Sequence, residues 1–332
     1  MARRWGLSLD LPGLSLAEAA PVIQAAEQAG YTDGWPGEVA GHDGFTPVAL
    51  AAMATERMRV GTGVVNVFTR GPAVLAQHAA SLQQLSGGRF VLGIGSSSNV
   101  IVERWNGIPF ERPRTRVRET VEFLRAALAG ERAGEGGFKL ELPPEQPVPI
   151  VIAALRERML QTAGELGDGA FVNFLPFASV GTVLEEIKKG EREAGKEEGS
   201  TEVLCRFFCL QGDDPEQTMG VARWMFCAYA TVPVYEQYFR WLGYGDAIDP
   251  MVEAWRGGDR SKALELAPAD LIKDIFVLGE PDAQRQRLEA FQKAGITTPV
   301  LLMVPGGGPG ERVGAEKYVD IVNSLAPAGP GA

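Results

Sequence analysis

The chain has 332 residues, with 32 Lys+Arg against 42 Asp+Glu and a formal net charge of −10 at pH 7; its isoelectric point is near 5.0. Hydrophobic residues at 45% and charged residues at 22% are ordinary for a globular protein and exclude wholesale disorder or a collagen-like chain. The acidic balance, with no basic stripe to offset it, speaks against a nucleic-acid partner, and no apolar run reaches the roughly 18 residues that a membrane span needs.

The first residues, Met1 to Trp5, carry two arginines but no long apolar stretch, and Asp10 and Pro12 interrupt the leucine-rich segment behind them. Trp5–Asp10 therefore reads as a first strand and not as a signal peptide. Leu16, Ala19, Ala20, Ile23 and Ala26 recur at helical spacing until Gly30. A short run at Tyr31–Trp35 and a helix over Pro47–Ala54 precede a β-branched strand at Met58–Val65. Pro72 opens a helix in the first-turn position that suits proline, and Gly87-Gly88 ends it. Arg89–Ile94 reads as a strand. Val117, Val121, Leu124 and Leu128 mark a helix, and Gly134–Leu142 reads as a small hairpin or extended excursion. Then come strand Val148–Ala153, helix Arg156–Leu166, strand Ala170–Phe174, a helix marked by Val180, Val183, Leu184 and Ile187, and strand Val203–Leu210. A helix over Asp282–Ala294 leads to a last strand at Pro299–Val304.

About eight strand-helix units predict an α/β fold with a parallel sheet. At this length they favour a closed (β/α)8 TIM barrel spanning residues 1–332 as a single domain. The rhythm breaks over about 214–273, a helical insertion between strands seven and eight. It is rich in aromatics, among them Trp224, Phe226, Tyr229, Tyr235, Tyr238, Phe239, Trp241, Tyr244 and Trp255. Such a segment must bury itself, as a lid, a subunit contact or extra core. The Gly/Pro-rich stretches 306–310 and 327–332 read as mobile ends. Cys205, Cys209 and Cys227 are odd in number and too few for a disulfide framework, so a reducing cytoplasm is expected.

In a barrel, function gathers where strands end. That selects Ser8 and Asp10, the run from Glu38 to Asp43, Gly63 to Asn66, Ser96 to Asn99, Ala153 to Arg156, and Asn173. Acid–base candidates are scarce. His78 falls inside a helix and reads as structural, while His42 lies in a loop beside Asp43 at the expected active face. Cys205 and Cys209 share a face but lack nearby histidines, so they read as buried small side chains and no metal site is expected. Gly93-Ile94-Gly95-Ser96 lacks the third glycine of a dinucleotide fingerprint. A site with few acids, bases or metals points to a cofactor that carries the hard step.

Two runs sharpen this: Gly61-Thr62-Gly63-Val64-Val65-Asn66-Val67-Phe68-Thr69-Arg70-Gly71-Pro72 and Leu85-Ser86-Gly87-Gly88-Arg89-Phe90-Val91-Leu92-Gly93-Ile94-Gly95-Ser96. They resemble the bacterial luciferase-like superfamily. Asn66 and Thr69 to Pro72 look most like its branch that uses the deazaflavin coenzyme F420. Gly30-Tyr31, Trp35, Glu38, Asp43, Phe45 and the stretch Ala163 to Gly169 also match. The resemblance covers most of Trp5–Asn173 and resumes at Asp282–Val304.

The resemblance implies a bulge on strand three, with a non-prolyl cis peptide at Gly63–Val64 that backs the coenzyme ring. It places Glu38 as an acid near the ring and Asn66 at the ring edge. Ser96, Ser97 and Ser98 would line the ring or the sugar-like chain. Ala153, Ala154, Leu155 and Arg156 would meet the phosphate, where a helix begins, and Asn173 would close that side. Val39 stands where some deazaflavin enzymes have a histidine. Ser8 and the pair Ser98-Asn99 stand where the methylene-tetrahydromethanopterin reductase has acids. These departures speak against the sugar-phosphate dehydrogenase and pterin reductase activities. The proton donor stays open among His42, Glu38 and Tyr229.

The expected activity is hydride transfer between the deazaflavin C5 and a small organic substrate, in a homodimer. One alternative is a monooxygenase that uses reduced flavin mononucleotide (FMN) and oxygen, with a flavin reductase as partner. Another is a non-catalytic barrel that binds a ligand or partner.

Overall fold

The computed structural model describes residues 4–305 and 313–327. The predicted mobile stretch 306–310, and 327–332 apart from Pro327, lie outside the described residues. The first half runs β1 (Gly6–Ser8), α1 (Leu16–Gln28), β2 (Asp33–Trp35), α2 (Thr46–Ala54), β3 (Arg59–Gly61), β4 (Val65–Asn66), α3 (Pro72–Leu85), β5 (Phe90–Gly95), α4 (Pro113–Leu128), β6 (Ile150–Ala153), α5 (Glu157–Leu166) and β7 (Gly169–Asn173). It continues with α6 (Val180–Glu193), β8 (Glu202–Leu210) and the insertion helices α7 (Pro215–Ala230), α8 (Pro233–Trp241), α9 (Gly245–Arg256), α10 (Arg260–Leu266) and α11 (Ala269–Ile275). The last elements are α12 (Pro281–Ala294), β9 (Thr298–Val304) and α13 (Ala315–Ser324).

Local chemistry sets these boundaries. Ser15 and Glu18 close a capping box ahead of α1, which satisfies two otherwise unpaired backbone donors. Proline opens α2, α3, α4, α7, α8 and α12, where its missing N–H has no helical partner to lose. Gly295 adopts φ 117° to end α12. The predicted excursion at 134–142 contains no strand, only a bridge between Ala133 and Phe138. A π-helical turn at Val100–Trp105 and α13 are additions to the predicted elements.

All strand pairs are parallel and the sheet closes, because β3 pairs β5 as well as β2. With β3 and β4 as two halves of the third strand, this is the predicted eight-stranded α/β barrel. Side chains alternate across it with period two. One set faces the helices and forms the large outer core, including Leu7, Val60, Phe90, Leu92, Ile150, Ile152, Cys205 and Cys209.

The inward set is layered. The floor is ionic. Arg59 pairs Asp33 and grips Glu202 at 2.7 and 2.6 Å, Arg4 adds 2.9 Å to Asp33, and Thr298 bonds Glu202. The middle is apolar: Trp35, Val91, Val151, Phe171, Leu204 and Val300. Trp35 fits because Gly61 leaves it space; a Cβ there would lie 2.3 Å from the indole and 2.7 Å from the Val91 carbonyl. The mouth above combines polar side chains, such as Ser8, Asn173 and Arg206, with the rings of Phe174 and Phe208.

The insertion forms a second core. Phe226, Tyr238, Phe239, Ile248, Met251 and Ile272 pack with Phe174, Phe208 and Leu210, which end β7 and β8. The aromatic segment is thus extra core set over the C-terminal strand ends. No helix among the described residues is long and apolar enough to cross a membrane.

Candidate active site at the barrel mouth

Strand three does not run straight to the mouth. Val60 faces Phe90 in the register, yet Val65 faces Ile94, so one residue more lies on this strand than opposite it. That is a bulge, and the Gly63–Val64 peptide within it is cis. Thr62 makes the detour feasible. Its hydroxyl accepts the Gly93 N–H at 2.8 Å and donates to the Gly93 carbonyl at 2.7 Å, standing in for the lost backbone partner. Gly93 and Gly95 let the bulge lie against β5. A Cβ at Gly93 would sit 1.9 Å from the Thr62 carbonyl, and one at Gly95 would sit 2.9 Å from Ala153 Cβ.

Just past the bulge, buried Asn66 uses its side-chain oxygen to accept from Phe68 N (3.1 Å), Thr69 N (2.8 Å) and Thr69 Oγ1 (2.9 Å). Its amide nitrogen bonds no described residue, which leaves a donor at the mouth. Glu38 is bound by Arg70 through both oxygens, at 2.6 and 2.5 Å, and also accepts from Gly44 N at 2.9 Å. Such a bidentate pair holds an anion, and Glu38 raises the Arg70 pKa. Arg70 in turn lies over Phe45, 5.2 Å away, and Phe45 stacks on His78 at 4.2 Å. Partial burial lowers the His78 pKa, with Arg70 adding to it. Burial works against ionisation of Asp43, but hydrogen bonds from Thr46 and Phe45 hold its carboxyl below the usual range. His42 is exposed, and its side chain hydrogen-bonds no described residue.

Ser96, Ser97 and Ser98 follow β5 and are half-buried, Ser97 with φ 63°. Next along the barrel, β6 leads into α5. The Ala154 N–H is committed to the Phe171 carbonyl at 3.0 Å. The amides of Leu155 and Arg156, and those of Glu157 and Arg158 in the first turn, have no acceptor among the described residues. Arg156 is the N-cap residue, without a side-chain cap. Converging amides at a helix start favour an anion. Asn173 ends β7, where it donates to Tyr235 Oη at 3.0 Å and accepts from Phe174 N at 3.0 Å. It thereby ties the insertion to the barrel.

Arg206 is the residue that motif reading missed. The inward positions of β8 read Glu202, Leu204, Arg206, Phe208, so a lone cation at inward parity was visible in the alternation. Its Nη2 donates to the Gly63 carbonyl at 2.7 Å. Asp10 stands 3.6 Å from Nη2, already accepting from Ser8 and Gly37. Arg70 was part of a quoted motif, but only the fold shows Glu38 as its partner.

Few free acids or bases, a backbone bulge and unpaired donors thus gather around one barrel mouth. The family model for luciferase-like monooxygenases matches residues 4–298, and the chain belongs to that family of enzymes. A Mycobacterium tuberculosis protein provisionally named a coenzyme F420-dependent oxidoreductase is 27% identical, over 89% of this chain and 92% of its own. Among solved structures, the coenzyme F420-dependent tetrahydromethanopterin reductase of Methanopyrus kandleri superposes with a TM-score of 0.77 at 24% identity, covering 98% of both chains. A Pseudomonas putida Baeyer–Villiger monooxygenase in complex with FMN gives 0.62 at 18%, covering 91% of both.

Proposed function

We propose that the chain is a coenzyme F420-dependent oxidoreductase that moves a hydride between the deazaflavin C5 and a small organic substrate. The observation that carries this reading is the Thr62-supported bulge, flanked by the free Asn66 amide nitrogen, on the same barrel end as the unpaired amides of α5, which follows β6 one strand beyond β5. When bound, the deazaflavin supplies a hydride carrier that lacks the ring nitrogen through which flavins react with oxygen. The bulge at Gly63 and Val64 would back the ring, and Asn66 would donate to its edge. Ser96, Ser97 and Ser98 would border it. Leu155 and Arg156, with the next two amides, would take the phosphate. Ala153 and Ala154 would contribute packing, since the Ala154 amide is committed. Asn173 would hold Tyr235 and the insertion against that side.

Glu38, locked by Arg70, would act as a fixed anion and not as a proton donor. Tyr229 lies among the aromatics at the mouth, 4.5 Å from Phe174, and burial raises its pKa. The same reading takes the insertion as part of one domain and expects a reducing cytoplasm, where the three buried, unbridged cysteines would persist. It also expects a homodimer, which could cover exposed Met53, Val74 and Leu85 on α2 and α3.

The FMN-bound neighbour keeps the monooxygenase as a second reading, with a flavin reductase as partner. The test is a panel of carbonyl and alkene substrates offered with reduced F420 under nitrogen, run beside reduced FMN in air. Anaerobic oxidation of reduced F420 supports hydride transfer. Product formation that needs both FMN and oxygen assigns the monooxygenase.

A further inference from the structure

Arg206 is a cation whose carboxylate neighbour, Asp10, stands 3.6 Å away and is shared with the Ser8 hydroxyl and the Gly37 amide. Its side chain is 12% exposed, and its Nε is fully buried with no hydrogen-bond partner. Nη1 bonds no described residue; it lies beside Gly37, where a Cβ would come within 2.9 Å. Nη2 donates to the Gly63 carbonyl and stands 3.6 Å from Asp10 Oδ2, an oxygen that already accepts from Ser8 and from the Gly37 amide. A largely desolvated guanidinium normally holds a carboxylate or phosphate in its fork. The surroundings are aromatic: the guanidinium carbon is 5.8 Å from the Phe171 ring, and Tyr229 packs on Phe208, the next inward residue of β8 after Arg206, and on Phe174 and Tyr235. The Tyr229 hydroxyl has no partner among the described residues.

We propose that Arg206 and Tyr229 form a subsite for a carboxylate on the substrate, so that the enzyme acts on organic acids with an apolar or aromatic body. The proposal rests on the reading of the barrel mouth as the reaction site. Two oxygen sources share this chemistry, a substrate carboxylate and an acidic group of the coenzyme, and the test separates them.

Benzoate and its neutral isostere benzamide are titrated calorimetrically into the folded protein, with and without saturating oxidised F420. The subsite predicts at least tenfold preference for benzoate, kept or increased with F420 bound. Arg206→Met should bring the two ligands within twofold of each other, and Tyr229→Phe should weaken benzoate several-fold. Arg206→Lys, which keeps the charge and loses the fork, should fall between; it also serves if the methionine variant melts early by circular dichroism. Equal binding of benzoate and benzamide, or a preference that survives in both Arg206 variants, overturns the proposal. Competition between benzoate and F420 also overturns it, by giving Arg206 to the coenzyme. If F420 does not bind at all while benzoate preference still depends on Arg206, the coenzyme assignment fails and the carboxylate subsite stands.

Discussion

The barrel holds two inward arginines at opposite ends, and they are treated differently. Arg59 on the floor meets carboxylate oxygens on two sides, from Asp33 and Glu202, and lies 5.3 Å from the Trp35 ring. Arg206 at the mouth is similarly withdrawn from water, yet it bonds one backbone carbonyl and meets a carboxylate, that of Asp10, only at 3.6 Å. A closed ion network plugs and orders a barrel end; an open one is poised for a ligand. The difference separates structural charge from functional charge within one fold, where burial alone would have grouped them.

Breaking the floor should have the largest effect. Arg59→Met takes the cation from Glu202 and leaves Asp33, which is fully buried, to Arg4 at 2.9 Å. Removing one partner of such a network costs about 3–5 kcal/mol, read as a lower urea midpoint at unchanged slope. Trp35→Ala, in the layer above, should cost a comparable ~3–5 kcal/mol through the cavity it leaves. Arg206→Met sharpens the contrast. It removes a cation that has one strong contact, so its stability change should stay below ~1.5 kcal/mol, while the preference for benzoate over benzamide is lost. An Arg206 variant as destabilising as the Arg59 variant would erase the distinction between the two ends.

Acid should open the floor first. Burial alone would raise the Glu202 pKa, but hydrogen bonding and attraction from Arg59 lower it below the usual carboxylate value. A depressed carboxyl stabilises the fold above its unfolded pKa of about 4.3, and the contribution disappears as pH falls through the folded value. Melting temperature should therefore drop below about pH 4, and Glu202→Gln should flatten that part of the profile. The smallest effect is expected at Glu38→Gln, which loosens Arg70 and the loop after β2. It should cost about 1 kcal/mol or less in stability and weaken coenzyme binding a few-fold in a fluorescence titration.

The barrel was legible because period-two and helical spacings repeat through the chain, and the insertion because it interrupts them. The bulge could be placed only through the resemblance, since Val60, Val64 and Val65 read locally as one strand. The offset of one residue exists only in the pairing with β5. Ion pairs were hidden for a related reason: Glu38 and Arg70, or Arg59 and Glu202, are distant in sequence, and only barrel closure makes them neighbours. The unpaired α5 amides were anticipated from the helix start. Ala154 is not among them because of a single hydrogen bond across β7, which no motif encodes. His42 shows the converse: its place beside Asp43 suggested chemistry, but the fold leaves it in solvent while Asp43 caps α2.

The most direct measurement is a tryptophan-fluorescence titration of the purified chain with oxidised coenzyme F420 and, in parallel, with FMN. Trp35 lies beneath the bulge, and the chain's six tryptophans report a ring docking there. Saturable quenching by F420, at least tenfold tighter than by FMN, is the expected result. Tighter binding of FMN would contradict the deazaflavin assignment and move the reaction to oxygen chemistry on the same barrel.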